Sequence, residues 1–291
     1  MIKMTEQKTK ISKDVVVVYH GECSDGFGGA WSAWKKFQET ADYIGVCHGD
    51  NPSDDLVGKE IYFVDFVYPK GMMEDLKKKN KKIVIIDHHK TAVDLLDLAD
   101  EKLFDIEHSG AVLSWHYFHS NKPTPILLKH IEDRDLWNWK IENSREILIY
   151  FDLFERDFKI WDEIISEFDK NQIKRKEFTD KGDLLIRQWN ILCERIMKED
   201  SMKVEFEGYQ IYLINASSVF SSDLGNLLSK KLPPMAIAWH QGGDGNFRVS
   251  LRSDGTLDVS EIAKKYGGGG HRSSAGFRIL NGQPFPWKAI K

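Results

Sequence analysis

The sequence predicts an α/β protein of two domains, and three observations lead there. At 291 residues the chain is long for one apolar core, because single cores stop growing and divide at about 250–300 residues. Its first half alternates short β-branched runs with helical stretches, the pattern of a parallel sheet with crossover helices. Its final third restarts an α/β pattern after a long charged segment that holds Gly182 and no proline.

In order, a strand from Val15 to Tyr19 is expected to feed a helix from Phe27 to Phe37. Gly26, Gly28 and Gly29 fall between them, where small residues let a backbone turn tightly and approach an anion at the helix start. A second strand, Ile61 to Asp65, precedes a helix from Gly71 to Lys79, and a third, Ile83 to Ile86, precedes a loop. Helices at Ser109 to Phe118 and around Ile126 to Ile131 lead into Glu132-Asp133-Arg134-Asp135-Leu136-Trp137. This first domain is placed at 14–160, and the charged stretch from Trp161 to Lys198 reads as a helical linker within 161–200. The smaller domain, 201–291, is expected to run strand Gln210 to Asn215, helix Ser222 to Lys231 and strand Met235 to His240. A turn at 242–246, strand Phe247 to Arg252, helix Asp258 to Tyr266, four glycines with His271, and strand Ala275 to Ile279 complete it.

Composition narrows the function. No window approaches the roughly 18 apolar residues that a membrane span needs. Met1 to Lys13 is polar and lysine-rich without the apolar stretch of a secretory signal, so a frayed terminus is expected. Cys23, Cys47 and Cys193 are odd in number and irregular in spacing, which gives no disulfide framework and fits a reducing, cytoplasmic setting. A formal net charge of −4 argues against coating long duplex nucleic acid but allows a short phosphate-bearing substrate.

Each of the three expected strands ends in carboxylates or imidazoles: His20 and Asp25, Asp65, and Asp87-His88-His89. The carboxyl ends of neighbouring parallel strands share one crevice, so these groups should converge. Asp and His without paired cysteines suit manganese or magnesium better than structural zinc. A carboxylate bridging two such cations holds them about 3.5–4 Å apart, and Asp65 on a central strand is the natural bridge. A strand-end Asp can equally be an N-cap or turn former, and a buried histidine can be satisfied by backbone. Asp133 and Asp135 could be a capping pair, with one of them structural. The glycine run reads either as a flexible loop or as an anion-binding concavity beside Arg252 and His271. Some of the nine tryptophans could stack bases, although most are accounted for as core.

Five motifs in order, with two more near the end, resemble the DHH/DHHA1 phosphoesterases. They are His20-Gly21-Glu22-Cys23-Ser24-Asp25-Gly26, Tyr62-Phe63-Val64-Asp65, Ile86-Asp87-His88-His89, His108-Ser109-Gly110-Ala111 and Ile131-Glu132-Asp133-Arg134-Asp135, then Val249 to Ser253 and Gly267 to His271. The short motifs look most like the nanoRNase B-like or cyclic-nucleotide phosphodiesterase-like branch. The resemblance implies a parallel-sheet DHH domain joined to a smaller α/β DHHA1 domain. It also implies a phosphodiesterase that cuts short oligonucleotides or small nucleotide esters with metal-activated water. The implied cofactors are two divalent cations, manganese first, with magnesium or cobalt as alternatives. Asp25, Asp65, His88 and Asp133 are implied as ligands of one cation, and His20 and Asp65 of the other. His89 is implied as the phosphate contact with Asp87 orienting an imidazole, and Arg252, Gly268, Gly269, Gly270 and His271 as the substrate clamp. One residue departs from the pattern: Cys23 stands where a carboxylate is usual, so Cys23 and Asp135 join as further ligand or supporting candidates. Hydrolysis of inorganic polyphosphate or pyrophosphate, and a catalytically impaired nucleotide-binding module, are the competing readings. A homodimer is left open.

Overall fold

The computed structural model describes residues 11–21, 23–47 and 49–290. Most of the polar start, and Glu22 of the first motif, lie outside them. The chain divides into two compact units, Met1–Ile186 and Arg187–Lys291.

The first unit is built on a five-stranded parallel sheet of β1 (Val15–His20), β2 (Ala41–Val46), β3 (Glu60–Val64), β4 (Lys82–Asp87) and β5 (Glu101–Phe104), in the order β2-β1-β3-β4-β5. The three central strands were expected because they read as nearly continuous apolar runs, as strands covered on both faces must. The two edge strands were not. β2 mixes Asp42 and Gly45 into its run, and β5 has only four residues, two of them charged. Val17, Tyr62, Val64, Val84 and Ile86 pack on one face with Ala33 of α1 (Ser24–Phe37) and Leu113 of α3 (Gly110–Phe118). Val16, Val18, Ile61, Phe63, Ile83 and Ile85 pack on the other with Met73 and Leu76 of α2 (Lys70–Lys79) and Leu95 of a 3-10 turn. Three more helices, α4 (Ile126–Asp135), α5 (Ser144–Phe151) and α6 (Phe158–Lys170), close an aromatic-rich cluster over α1 and α3.

Two sequence expectations change here. Gly26, Gly28 and Gly29 are not a loop before the helix; they lie within α1. A Cβ on Gly29 would sit 2.3 Å from Val64 Cγ1, and one on Gly26 2.3 Å from the His20 carbonyl oxygen. Gly26 and Gly29 bring the helix against the sheet, and Gly28 brings it against Ala111 of α3. The expected linker is also divided between cores. Trp161, Ile164, Phe168 and Phe178 pack into the first unit, whereas Cys193 packs into the second. A single helix, α7 (Gln172–Asp200), carries the chain across the boundary.

The second unit is a seven-stranded sheet of β6 (Ser201–Phe206), β7 (Tyr209–Asn215), β8 (Met235–Gln241), β9 (Phe247–Ser253), β10 (Gly269–His271), β11 (Ser274–Ile279) and β12 (Lys288–Ala289). The order is β10-β11-β9-β8-β7-β6-β12, antiparallel except between β7 and β8. Leu224 and Leu228 of α8 (Ser221–Lys231) pack on one face against Ile214, Ala236 and Ala238. Val259, Ile262 and Ala263 of α9 (Val259–Lys265) pack on the other against Ile237, Val249 and Leu251.

Candidate functional site

The carboxyl ends of β1, β3 and β4 deliver His20, Asp65 and Asp87 to one rim of the parallel sheet. Asp65 follows β3 in a left-handed conformation, φ 55°, while its amide still donates to the Ile86 carbonyl at 2.9 Å. Asp tolerates that region better than most residues, and a buried one held there at a strand end marks a site built for its side chain.

Around the Asp65 carboxylate three overlapping groups of candidate ligands assemble, one of them Asp65 with His88 and His89. His20 Nδ1 lies 3.1 Å from Cys23 Sγ and 3.7 Å from Asp65 Oδ2, and the Cys23 thiol donates to the same oxygen at 3.4 Å. On the other side His88 Nε2 faces Asp65 Oδ1 at 3.2 Å, Asp135 Oδ2 at 3.5 Å and Asp25 Oδ2 at 3.9 Å. Candidate ligand atoms of His20, Cys23 and Asp65 all lie within 4.8 Å of one another, as do those of Asp25, His88 and Asp135.

Backbone donors hold the carboxylates in place. The Gly110 and Ala111 amides at the start of α3 donate to Asp25 at 2.7 and 3.0 Å, so a helix N-terminus faces the buried acid. A Cβ on Gly110 would meet Asp65 Cβ at 2.6 Å and Asp25 Oδ2 at 2.9 Å, so only glycine fits. Glu132 Oε2 accepts from the Ser109 amide at 2.9 Å and lies 3.0 Å from His108 Nδ1, which ties α3 to α4. Asp87 is buried, and its Oδ1 accepts the amides of His88 and His89 at 2.7 and 2.8 Å and lies 2.8 Å from His89 Nδ1. One carboxylate oxygen thus shapes the whole His-His turn. Gly110, Ala111 and Glu132 stood within the sequence motifs but were given no role there, because their part is played by main chain or through other residues.

Charge follows from this crowding. Burial, then the charges of Asp135 and Asp65, pushes the Asp25 carboxyl well above the usual range. Burial acts the same way on Asp65, but the neighbouring imidazoles of His20, His88 and His89 outweigh it and hold that group well below. His88 is raised to about 9: burial opposes its charge, and the facing Asp65 carboxylate with the nearby Asp25 and Asp135 more than offsets that. His89 is raised too, against burial, by Asp87.

Asp133, expected in the ligand set, is placed elsewhere. It is buried, and its two oxygens accept the Lys140 and Ile141 amides at 2.8 and 3.1 Å. Two residues on, at the last turn of α4, Asp135 is the acid that reaches His88. Motif spacing left the pair undivided, and the loop's demand for acceptors divides it.

In the second unit the glycine run is an edge strand and its approach, not a flexible loop. A Cβ on Gly268 would sit 2.0 Å from the Gly276 carbonyl oxygen, and one on Gly270, φ 142°, 2.5 Å from Ala275 Cα. Gly269 has open space around it. His271, Ser274 and Arg252 stand abreast on β10, β11 and β9 and so share a face. Arg252 donates to Ser222 Oγ at 2.8 Å.

A family model described as the DHHA1 domain matches residues 215–286. The chain is 30% identical over 228 residues to oligoribonuclease NrnB of Bacillus subtilis, covering 69% of this chain and 53% of that one. The chain belongs to the DHH/DHHA1 family. This DHH/DHHA1 chain is also 34% identical over 285 residues to an uncharacterized protein of Acanthamoeba polyphaga mimivirus, covering 90% of this chain and 66% of that protein. It therefore spans about half to just under two thirds of the length of these curated relatives. Among solved structures, a pGpG-specific phosphodiesterase from Vibrio cholerae shares the fold at a TM-score of 0.50 and 14% identity, over 92% of this chain and 94% of that one.

The donor set fits divalent cations. Asp65 Oδ1 and His88 Nε2 are buried at 3.2 Å from each other, yet neither completes an aligned hydrogen bond. Buried polar atoms are normally paired, and two facing ligand atoms left without a hydrogen bond suit an ion that binds both. Carboxylate and imidazole ligands are those of hard and borderline metals. Among the described residues, no helix is long and apolar enough to cross a membrane.

Proposed function

We propose that this chain is a metal-dependent phosphodiesterase that hydrolyses short oligonucleotides or small nucleotide phosphoesters. The observation that carries the reading is the position of Asp65, one oxygen toward His20 and Cys23 and the other toward His88. In this reading His20, Cys23 and Asp65 hold one cation, and Asp25, Asp65, His88 and Asp135 hold the second. When bound, the cations supply Lewis acidity to the phosphoryl oxygens and lower the pKa of a water.

The chain's own residues do the rest. Asp87 fixes the turn and the ring of His89, so this imidazole meets a phosphate in one orientation. Asp87 raises the pKa of His89, which favours the protonated ring, the form that donates a charge-assisted hydrogen bond to a phosphoryl oxygen. In the second unit, Arg252 and His271, beside the open Gly269, form a surface that takes a phosphate or a nucleotide end. Manganese is the favoured ion for a carboxylate and imidazole set, and the Cys23 thiol admits cobalt more readily than magnesium.

The test uses the full chain with manganese, magnesium or cobalt, 5′-labelled RNA and DNA of two to five nucleotides, and polyphosphate in parallel. Release of mononucleotides from the short oligomers, faster than phosphate from polyphosphate, is the expected result. No turnover of any ester with any of the three ions, or preference for polyphosphate, overturns it.

A further inference from the structure

We propose that Trp137 is a stacking platform for a nucleobase of the substrate, an inference that rests on the phosphodiesterase reading above. The loop that leaves α4 carries Trp137 and Trp139, both in the left-handed region at φ 57° and 51°. A bulky aromatic residue there is a steric outlier that costs on the order of 1–3 kcal/mol and persists only where surrounding structure over-determines it.

The surroundings do so. The buried Asp133 carboxylate takes the Lys140 and Ile141 amides, its carbonyl takes those of Asn138 and Trp139, and the Trp137 amide donates to the Arg134 carbonyl at 3.0 Å. Asp133 is thus spent on shaping this loop. The outcome is a Trp137 that is 49% exposed, while Trp31 and Trp161 of the same unit are each at 2%. Its ring meets that of Trp139 edge to face, with centroids 5.2 Å apart and planes at 76°, and the Arg145 guanidinium lies 5.7 Å over Trp139.

An exposed tryptophan alone means little, since lone apolar residues are common on surfaces. Two further facts give this one a use. It lies two residues beyond Asp135, whose carboxylate approaches His88 at 3.5 Å. Its strained backbone and braced ring hold a rigid aromatic face in water beside polar, exposed Asn138 and Lys140. A planar, uncharged heterocycle is the chemistry that face takes.

Stacking of one base on an aromatic side chain is worth about 1–3 kcal/mol by alanine substitution, equivalent to about 5- to 150-fold in affinity. The experiment measures hydrolysis by the full chain, with manganese, of a 5′-phosphorylated dinucleotide and of two analogues that each lack one base. Trp137→Ala should raise KM for the intact dinucleotide by that factor with little change in kcat, and Trp137→Phe should recover most of it. On one of the base-lacking analogues Trp137→Ala and the parent should be equal, which also shows that the variant is folded. Quenching of a 2-aminopurine dinucleotide should occur with the parent and be lost in Trp137→Ala. An unchanged KM in Trp137→Ala, or an equal loss on all three substrates, overturns the proposal. No turnover by the parent sinks the phosphodiesterase reading instead, and the quenching titration then decides the stacking face by itself.

Discussion

Asp87 gathers three contacts on a single buried oxygen, two main-chain amides and one imidazole nitrogen. Asp87→Ala removes the acceptor and leaves those groups buried without one. About 2–4 kcal/mol of stability should be lost in urea unfolding, along with at least roughly 100-fold in kcat because His89 is no longer held. The histidine before it gives a pH prediction. His88 is raised from 6.5 to about 9 in the metal-free chain, so its contribution to stability is complete below about pH 6.5 and is lost as pH rises through about 9. A cation needs the neutral ring and must displace that proton. Manganese affinity, measured by calorimetry, should therefore rise about tenfold per unit between roughly pH 6.5 and 9, and a flat profile would remove His88 from the ligand set. At this scale the sequence was most legible where polar side chains gather at the rim of the parallel sheet. His20, Asp25, Asp65, His88 and Asp87 stood out because imidazoles and carboxylates end apolar strands. Asp135 over Asp133 did not, because both fit the spacing and only the amides of residues 140 and 141 tell them apart.

The elements matter to the site through how closely they approach. Gly29 lets α1 lie on β3, and Gly110 lets α3 begin against Asp65 and Asp25. Gly29→Ala places a methyl 2.3 Å from Val64 Cγ1 and should cost about 1–3 kcal/mol of stability. Adding Val64→Ala removes the nearer obstacle and leaves Ser114 Oγ at 2.9 Å, so the double variant should lose less than the sum of the two single losses in denaturant titrations; strict additivity would show that the Val64 contact is not the cause. Glycines between a strand and a helix look alike in sequence whether they cradle an anion or admit a neighbouring side chain. The distinction needs the facing residue, here Val64, which lies far along the chain. The edge strands β2 and β5 were hidden for a related reason: an edge is only partly covered, so its run need not be apolar.

Over the whole molecule, the candidate metal residues run from His20 to Asp135 in the first unit, and the candidate substrate residues from Arg252 to His271 fall in the second. Effects on sites that share no side chain should be nearly independent. His271→Ala is expected to raise KM for a short oligonucleotide about tenfold while leaving manganese affinity within about twofold of the parent. A matching loss of manganese affinity would place His271 with the metal instead. The two-unit plan was readable from length and from the return of strand–helix alternation. The boundary was not, since α7 looks the same on either side of it and only the partners of Phe178 and Cys193 assign each half. The glycine run also separates two kinds of selection. Gly267 needs its left-handed backbone, φ 74°, and Gly268 and Gly270 have no room for a side chain, so variation at these three is policed by folding itself. Gly269 has room, so mutations there survive folding and, in the proposed reading, are judged by the ligand alone. That makes it the place in the run where a descendant lineage can retune what it accepts without first repairing its architecture.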